Sequence, residues 1–253
     1  VAVIADPVFT ASDERYKTLE ATKKRNNPTQ IAVASKTRGI EEDELDRVAN
    51  DFAEGESAYN FSRLPFTRKE AEAISTLAPP TAKKLSLDFS ANLSNATNPE
   101  LANYKIIHFA THSFINSRRP ELSGIVLSLV DEEGKQQNGF LRTDEIYNLN
   151  LPAELIVLSG CKTGLGKEIR GEGVVGLTRG FMYAGAKRVA VSLWDVNDEA
   201  TAELMSRFYK EMLSGKKLSP ASALRQAQLS MSKDKRWSNP YYWAGFILQG
   251  EPN

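Results

Sequence analysis

Two residues that could form a covalent catalytic pair, His112 and Cys161, each follow a short apolar run of the sequence. The run Ile106–Ala110 ends two residues before His112, and the run Leu155–Ser159 ends two residues before Cys161. Apolar runs of this length are typical of buried strands, and ligands of parallel sheets bind beyond the carboxyl ends of the strands. We therefore expect the imidazole and the thiol to meet at one edge of one sheet.

The chemistry open to this pair is nucleophilic attack on a carbonyl group. A free thiol has a pKa of about 8.5 and is only a few per cent ionised at neutral pH, so it needs a base beside it. The imidazole of His112 can accept the thiol proton and later protonate a leaving amine. The glycines around Cys161 would let its backbone N–H point at an oxyanion, and the N–H of Ser113 could be the second donor.

Each candidate also has a purely structural interpretation. A single cysteine is more often a small buried apolar residue than a nucleophile. His108 lies inside its apolar run, so we expect it to pack within the sheet or to support the site. The catalytic interpretation of His112 depends on its being the partner of Cys161.

Apolar runs alternate with helical patterns along the chain, which predicts an α/β fold with a largely parallel sheet. The predicted buried strands are Val1–Ala5, Ile106–Ala110, Leu155–Ser159, Val189–Trp194 and Phe246–Leu248. The predicted helices are Thr67–Ala78, Thr143–Asn148, Gly173–Ala184, Asp198–Leu213 and Ala221–Ser232. The spacing of Thr67 and Glu70 is typical of a capping box at a helix start. A β-hairpin is expected from Ile125–Val130 to Gly139–Leu141.

Residues from about 10 to 60 interrupt this alternation with a polar, charged stretch. It contains the runs Lys23-Lys24-Arg25 and Glu41-Glu42-Asp43-Glu44. We interpret it as a surface insertion, partly helical around Leu45–Phe52, within a single domain of residues 1–253.

Composition narrows the class of protein. The 32 Lys and Arg residues balance 32 Asp and Glu residues, so charge does not favour binding to nucleic acid or to a membrane surface. No apolar run is long enough to span a bilayer or to form a signal peptide. The single cysteine excludes an internal disulfide framework and a multi-cysteine metal site, and it favours a reducing, cytoplasmic compartment. A first residue of Val rather than Met suggests a fragment of a longer protein.

Beyond the two motifs, several segments in order along the chain match one known family. They are His108–His112, Gly139–Ile146, Leu158–Gly164, Gly171–Gly173, Gly176–Arg179, Ala184–Ala186, Ser192–Val196 and Pro240–Ala244. Over these segments the chain resembles the CHAT family, which comprises caspase-like and separase-like cysteine peptidases often associated with tetratricopeptide repeats. The likeness is close from about Leu101 to the C-terminus and loose over Val1–Pro7 and Thr67–Leu77. The stretch from about 10 to 60 lies outside it.

The resemblance implies a fold, an activity and partners. The fold would be a caspase-like three-layer sandwich, with a central mostly parallel sheet, helices on both faces and an appended β-hairpin. The activity would be that of a cysteine endopeptidase acting on a protein substrate through His112 and Cys161, with no cofactor and no metal. An upstream tetratricopeptide-repeat or sensor region would restrain it, and this domain would not itself bind nucleic acid or membranes.

The resemblance also suggests which substrate residue is preferred. Caspases bind the residue before the scissile bond with arginines, and at the matching places this chain has Asp6 and Asp195. A reversed charge in the pocket predicts cleavage after Arg or Lys. Trp194 would form a wall of the substrate groove. The structural alternatives are a turn residue for Asp6, a helix cap for Asp195 and a core residue for Trp194.

The chain departs from the family pattern at the two motifs. Ser113 follows the histidine where the family usually has glycine. Gly160-Cys161-Lys162-Thr163-Gly164 stands where the family tends to have Ala-Cys-Glu-Thr-Gly. Lys162 could favour the thiolate by its charge or could point into solvent.

Other chemistries fail on spacing. A phosphate-binding loop would need Ser or Thr directly after Lys167. A cysteine phosphatase would need Arg at position 167, where this chain has Lys. A zinc peptidase would need Glu at position 109, where this chain has Phe. Two interpretations compete with an active peptidase. One is an interaction module that has kept the fold without turnover, and the other is an enzyme that is latent until a partner acts.

Overall fold

The computed structural model describes residues 1–26, 61–114, 122–160, 172–213, 215 and 218–251. Cys161, the expected helix at Leu45–Phe52 and most of the expected insertion therefore lie outside the described residues.

A six-stranded sheet forms the centre of the structure. The described residues form nine strands in two sheets: β1 (Ala2–Pro7), β2 (Lys84–Asp88), β3 (Ile106–Ala110), β4 (Ser113–Phe114), β5 (Gly124–Val126), β6 (Phe140–Arg142), β7 (Leu155–Leu158), β8 (Arg188–Ser192) and β9 (Phe246–Gly250). The central sheet has the order β2-β1-β3-β7-β8-β9, and each pair is parallel except β8 with β9. The predicted α/β fold is confirmed, and β2 is an edge strand that we did not predict.

Helices cover both faces of this sheet. The helices among the described residues are α1 (Glu14–Asn26), α2 (Pro65–Leu77), α3 (Leu93–Ala96), α4 (Thr143–Ile146), α5 (Glu172–Tyr183), α6 (Asp198–Leu213) and α7 (Pro220–Ser232). Successive residues of a strand point to opposite faces, so each central strand contributes to two cores. In β7, Ile156 belongs to the core that contains Phe181 of α5, and Val157 belongs to the core that contains Phe208 of α6.

A small antiparallel sheet braces the end of β3. β5 pairs with β6, as the predicted hairpin requires, and β4 pairs with β5. The N–H of Val126 donates to the carbonyl of His112 at 2.8 Å, and the hydroxyl of Thr111 donates to the carbonyl of Val126 at 2.5 Å. The loop after β3 is therefore held by the appended sheet.

The predicted helix start at Thr67 is wrong. Helix α2 begins at Pro65, and the hydroxyl of Thr67 donates to the carbonyl of Leu64 at 2.7 Å instead of capping the helix. Proline suits the first turn of a helix because its φ is already fixed and its missing N–H would have no partner there. Glu70 is consequently not a capping residue, and its side chain is 1% exposed inside the molecule.

Candidate active site

The carboxyl ends of β3 and β7 lie next to each other in the sheet. Phe109 of β3 pairs with Leu158 of β7, and the N–H of Ser159 donates to the carbonyl of Phe109 at 3.0 Å. Beyond the sheet, the N–H of Ser113 donates to the carbonyl of Gly160 at 3.2 Å. The two loops that carry the candidate residues therefore run side by side.

Gly160 has no room for a side chain. A Cβ built there would lie 2.2 Å from the carbonyl oxygen of Thr111, well inside van der Waals contact. The departure from alanine at this position thus allows the loop after β7 to approach the backbone next to His112. Cys161 lies outside the described residues, but Gly160, to which it is bonded, is held against this loop.

His112 is buried between two aromatic rings. Its side chain lies with ring centroids 5.3 Å from Phe9 and 5.5 Å from Phe61, and the residue is 1% exposed. Its Nε2 lies 2.7 Å from the carbonyl oxygen of Ser62. Because a carbonyl only accepts hydrogen bonds, this contact places a proton on Nε2, and Nδ1 is then the nitrogen that can act as a base in the neutral ring.

A buried polar network lies behind His112. Nδ1 of His108 is 3.0 Å from the hydroxyl of Tyr209, and Nε2 of His108 is 3.1 Å from the hydroxyl of Ser159 and 2.7 Å from Oε1 of Glu70. Burial, with the nearby charge of Glu70, raises the pKa of Tyr209 further above its ordinary value. The phenol therefore stays protonated and can donate to Nδ1, which leaves Nε2–H directed toward Glu70 and Ser159.

A pocket opens between His112 and this network. Glu70 and Thr67 of α2, Gly160 after β7, and Asp198 and Thr201 of α6 are among the residues that line it. Asp198 accepts a hydrogen bond from the N–H of Phe66 at 3.0 Å. Burial, and then the charges of Glu70, Asp6 and Glu199, raise the pKa of Asp198 to about 6 despite that hydrogen bond.

Comparison with known protein families identifies the family of this chain. The sequence model described as "CHAT domain" matches residues 2–251. The chain belongs to the CHAT domain family. The resemblance found in its motifs is thereby confirmed, and the mostly parallel sheet with helices on both faces agrees with the caspase-like fold of that family.

Two curated relatives are named as tetratricopeptide repeat proteins. The CHAT domain is 38% identical over 114 residues to tetratricopeptide repeat protein 28 of Homo sapiens, a match that covers 45% of this chain and 4% of the human protein. It is 36% identical over 110 residues to the Mus musculus protein of the same name, covering 44% of this chain and 4% of that protein. The match thus spans a small part of either relative, and it supports the expected association of this domain with such repeats.

Asp6 lies buried at the end of β1 in a cluster of arginines. Its carboxylate is bound by Arg63 through two hydrogen bonds of 2.9 and 2.8 Å, by Arg68 at 2.9 Å and by Arg15 at 3.0 Å. Arg15 and Arg68 also contact Asp88. The predicted role of Asp6 in binding substrate therefore requires a substrate cation to compete with three arginines of the same chain.

The other two predicted substrate residues lie after β8. Trp194 is half-buried, and its indole N–H donates to the carbonyl of Tyr241 at 3.1 Å. Asp195 is exposed. Neither residue lines the pocket beside His112, although the next residue, Val196, does. Their binding roles stay predictions.

Two further properties concern the described part of the chain. None of its helices combines the length and the apolar character needed to cross a membrane. The same part of the chain contains no group of three or more His, Cys, Asp or Glu side chains placed to hold a metal ion.

Replacing Gly160 with alanine should separate the two loops. The added Cβ would overlap the carbonyl of Thr111, and overpacking of this kind costs about 1–3 kcal/mol. We expect urea denaturation of Gly160→Ala to show that loss in the free energy of unfolding. Gly215→Ala is the control because no atom of the described residues lies within 4 Å of the Cβ it would add. Equal stability of the two variants would contradict the close approach of Gly160 to the carbonyl of Thr111.

The raised pKa of Asp198 makes stability depend on pH. The carboxyl keeps its proton up to about pH 6 in the folded chain but ionises near its ordinary value of 3.8 when unfolded. Folding is therefore favoured at low pH, and this contribution is lost as the pH rises from about 4 to about 6. Relative to Asp198→Asn, the unmodified chain should lose on the order of 1 kcal/mol across that window, allowing for partial exposure to solvent. Urea denaturation at several pH values measures this, and a constant difference would contradict it.

Proposed function

We propose that this CHAT domain is a cysteine endopeptidase in which Cys161 attacks a peptide carbonyl and His112 transfers protons. One observation supports the proposal most strongly. The residue bonded to Cys161, Gly160, accepts a hydrogen bond from the N–H of the residue that follows His112, just beyond the ends of the neighbouring parallel strands β7 and β3. A nucleophile needs a base within hydrogen-bond reach, and this arrangement makes that reach possible.

The proton transfers follow from the contacts of His112. The carbonyl of Ser62 holds a proton on Nε2, so Nδ1 would accept the proton of the Cys161 thiol. The thiolate would form a bond to the carbonyl carbon, and the imidazolium would give its proton to the departing amine as the peptide bond breaks. Water, losing a proton to the same imidazole, would then attack the thioester carbonyl. As the carbon–sulfur bond breaks, the acid product would leave and the imidazolium would return the proton to the sulfur of Cys161. A base oriented by a third group in this way is a common feature of such sites.

The developing negative charge on the carbonyl oxygen would be stabilised by backbone N–H groups. Cys161 and Ser113 are the candidates. The N–H of Ser113 donates at 3.2 Å to the carbonyl of Gly160, which is a long hydrogen bond. Binding of a substrate would have to redirect that N–H from Gly160 to the oxyanion.

The proposed substrate is a protein cleaved after Arg or Lys. Support comes from the acidic side chains near His112, since Glu70 and Asp198 line the adjoining pocket and Asp6 lies near enough to raise the pKa of Asp198. Asp6 and Asp195 remain proposed binding groups, with Trp194 as a wall of the groove. We further propose that the domain acts in the cytoplasm and that a tetratricopeptide-repeat region elsewhere in the protein presents or restrains it.

A latent form of the same fold is the second candidate. The observation in its favour is that Phe9 and Phe61 cover His112, which leaves that residue 1% exposed. A latent or silent module would need a partner to open this cover before a substrate could reach the imidazole. Cleavage that appears only when the longer, repeat-containing protein is supplied would favour this second function.

The proposal is tested by identifying new protein N-termini in a lysate treated with the chain. We expect the chain to generate termini preceded by Arg or Lys. Cys161→Ala and His112→Gln should each lower their formation by roughly 1,000-fold or more, because the nucleophile and the base act as a unit. Gly215→Ala is the matched control and should leave the cleavage unchanged. Termini that persist in Cys161→Ala would refute the peptidase.

A further inference from the structure

The backbone carbonyl that holds the proton on Nε2 of His112 belongs to a short segment ahead of helix α2. This carbonyl is that of Ser62, an exposed residue. The side chain before it, Phe61, packs on the ring of His112 with centroids 5.5 Å apart and on the ring of Phe9 at 5.7 Å. Hydrophobic packing is non-directional, so it keeps the segment near His112 without aiming the carbonyl at Nε2.

Arg63, the next residue, gives this segment a directional contact with the sheet. Its Nε and one Nη donate to the two carboxylate oxygens of Asp6 at 2.9 and 2.8 Å, a paired geometry that suits a planar guanidinium. Asp6 directly follows Ala5 of β1, which pairs with Ala110 of β3, and His112 comes two residues after Ala110. The segment is therefore anchored at the end of the sheet from which His112 projects.

The anchor, Asp6, is held by more than Arg63. Arg68 donates to the same carboxylate at 2.9 Å, and Arg15 contacts it at 3.0 Å. The backbone of Asp6 has a φ of 50°, which residues other than glycine rarely adopt and which persists only where neighbouring contacts hold it. Removing Arg63 would leave two arginines on the carboxylate, so the buried charge would stay compensated.

We infer that Arg63 is a positioning residue for the base. By binding both oxygens of Asp6, it holds the carbonyl of Ser62 on Nε2 of His112 and so fixes which nitrogen carries the proton; this arrangement is the Arg63 clamp. The inference rests on the proposed function, in which Nδ1 of the same ring accepts the thiol proton. Without the clamp, the proton of the neutral ring would be shared between the two nitrogens, and a ring protonated on Nδ1 is no base for the thiol.

The clamp also favours the charged form of the ring. When the thiol of Cys161 gives its proton to Nδ1, the carbonyl oxygen at Nε2 stabilises the positive imidazolium. Loss of that contact would shift the equilibrium back toward the neutral thiol, which is the less reactive form. Arg63→Ala should therefore lower the reactivity of the thiol only at a pH at which a free thiol is protonated.

The first test reads the tautomer of His112. The chain has two histidines, so NMR of protein with isotope-labelled histidine rings shows two rings, and His112→Gln identifies one of them. At about pH 8, where an ordinary histidine is neutral, we expect the proton on Nε2 in the unmodified chain and on both nitrogens in part in Arg63→Ala. Arg68→Ala is the matched control, because it removes another arginine from the same carboxylate but lies within α2; it should keep the proton on Nε2. A proton that stays on Nε2 in folded Arg63→Ala would overturn the inference.

The second test is the rate at which iodoacetamide alkylates Cys161. We expect Arg63→Ala to react about ten-fold more slowly than the unmodified chain at about pH 6.5, because small misplacements at a site cost at least this much. At about pH 9.5, where a free thiol is ionised without a base, the two rates should agree. Equal rates at the lower pH would overturn the inference. So would a loss of the same size at both pH values, which would indicate a structural role.

Arg63→Lys is the conservative variant. It keeps the positive charge beside Asp6 but lacks the planar pair of donors, so it should recover only part of the rate at about pH 6.5. It also replaces Arg63→Ala in both tests if circular dichroism shows that the alanine variant does not fold. Full recovery of the rate and of the tautomer in Arg63→Lys would show that charge alone is sufficient and would overturn the paired geometry.

Failure of the clamp is distinguishable from failure of the peptidase. A changed tautomer in Arg63→Ala, in a chain that generates no new N-termini, would support the clamp and count against the peptidase. Cleavage that depends on Cys161, with the tautomer unchanged in Arg63→Ala, would support the peptidase and overturn the clamp.

Discussion

The site depends on the parallel pairing of β3 with β7 and on its continuation past the end of the sheet. The hydrogen bond from Ser159 to Phe109 extends the ladder, and the one from Ser113 to Gly160 joins the two loops beyond it. The second contact is possible only because Gly160 has no side chain that would collide with Thr111. Backbone interactions of this kind place two loops from distant parts of the sequence beside each other.

Two buried carboxylates near the site, those of Asp6 and Glu70, have different sets of partners. Asp6 is buried with three arginines, and removing one partner from such a cluster leaves an uncompensated charge that destabilises the fold. Glu70 is buried with His108 at one oxygen and without a partner at the other. The first arrangement is suited to holding α1 and α2 against β1. The second belongs to a residue that lines the pocket beside His112.

The sequence was sufficient for most of the central architecture. Apolar runs predicted the strands of the central sheet other than β2 to within two residues at each end. Four of these strands, β1, β3, β7 and β8, are buried along most of their length, which requires a mostly apolar sequence. β2 was missed because its exposed edge position mixes Leu85 and Leu87 with Lys84 and Asp88. The pairing of residues near 112 and 160 also followed from sequence, since both runs end in the same sense in a parallel sheet.

The remaining parts of the site could not be predicted from residue types. The carbonyl of Ser62 contacts His112 through the backbone, so the identity of its side chain gave no signal. The spacing of Thr67 and Glu70 suggested a capping box, whereas the earlier start at Pro65 turned Glu70 into the pocket. The arginines around Asp6 come from three positions between residues 15 and 68, and only the folded chain brings them together.

The most direct test of the account is the reactivity of the thiol toward iodoacetamide at pH 6.5. Cys161 is the only cysteine of the chain, so alkylation reports on that residue alone. If the imidazole of His112 takes the thiol proton, reaction in the unmodified chain should be at least about ten-fold faster than in His112→Gln. Equal rates in the two proteins would contradict the claim that the two loops bring these side chains together.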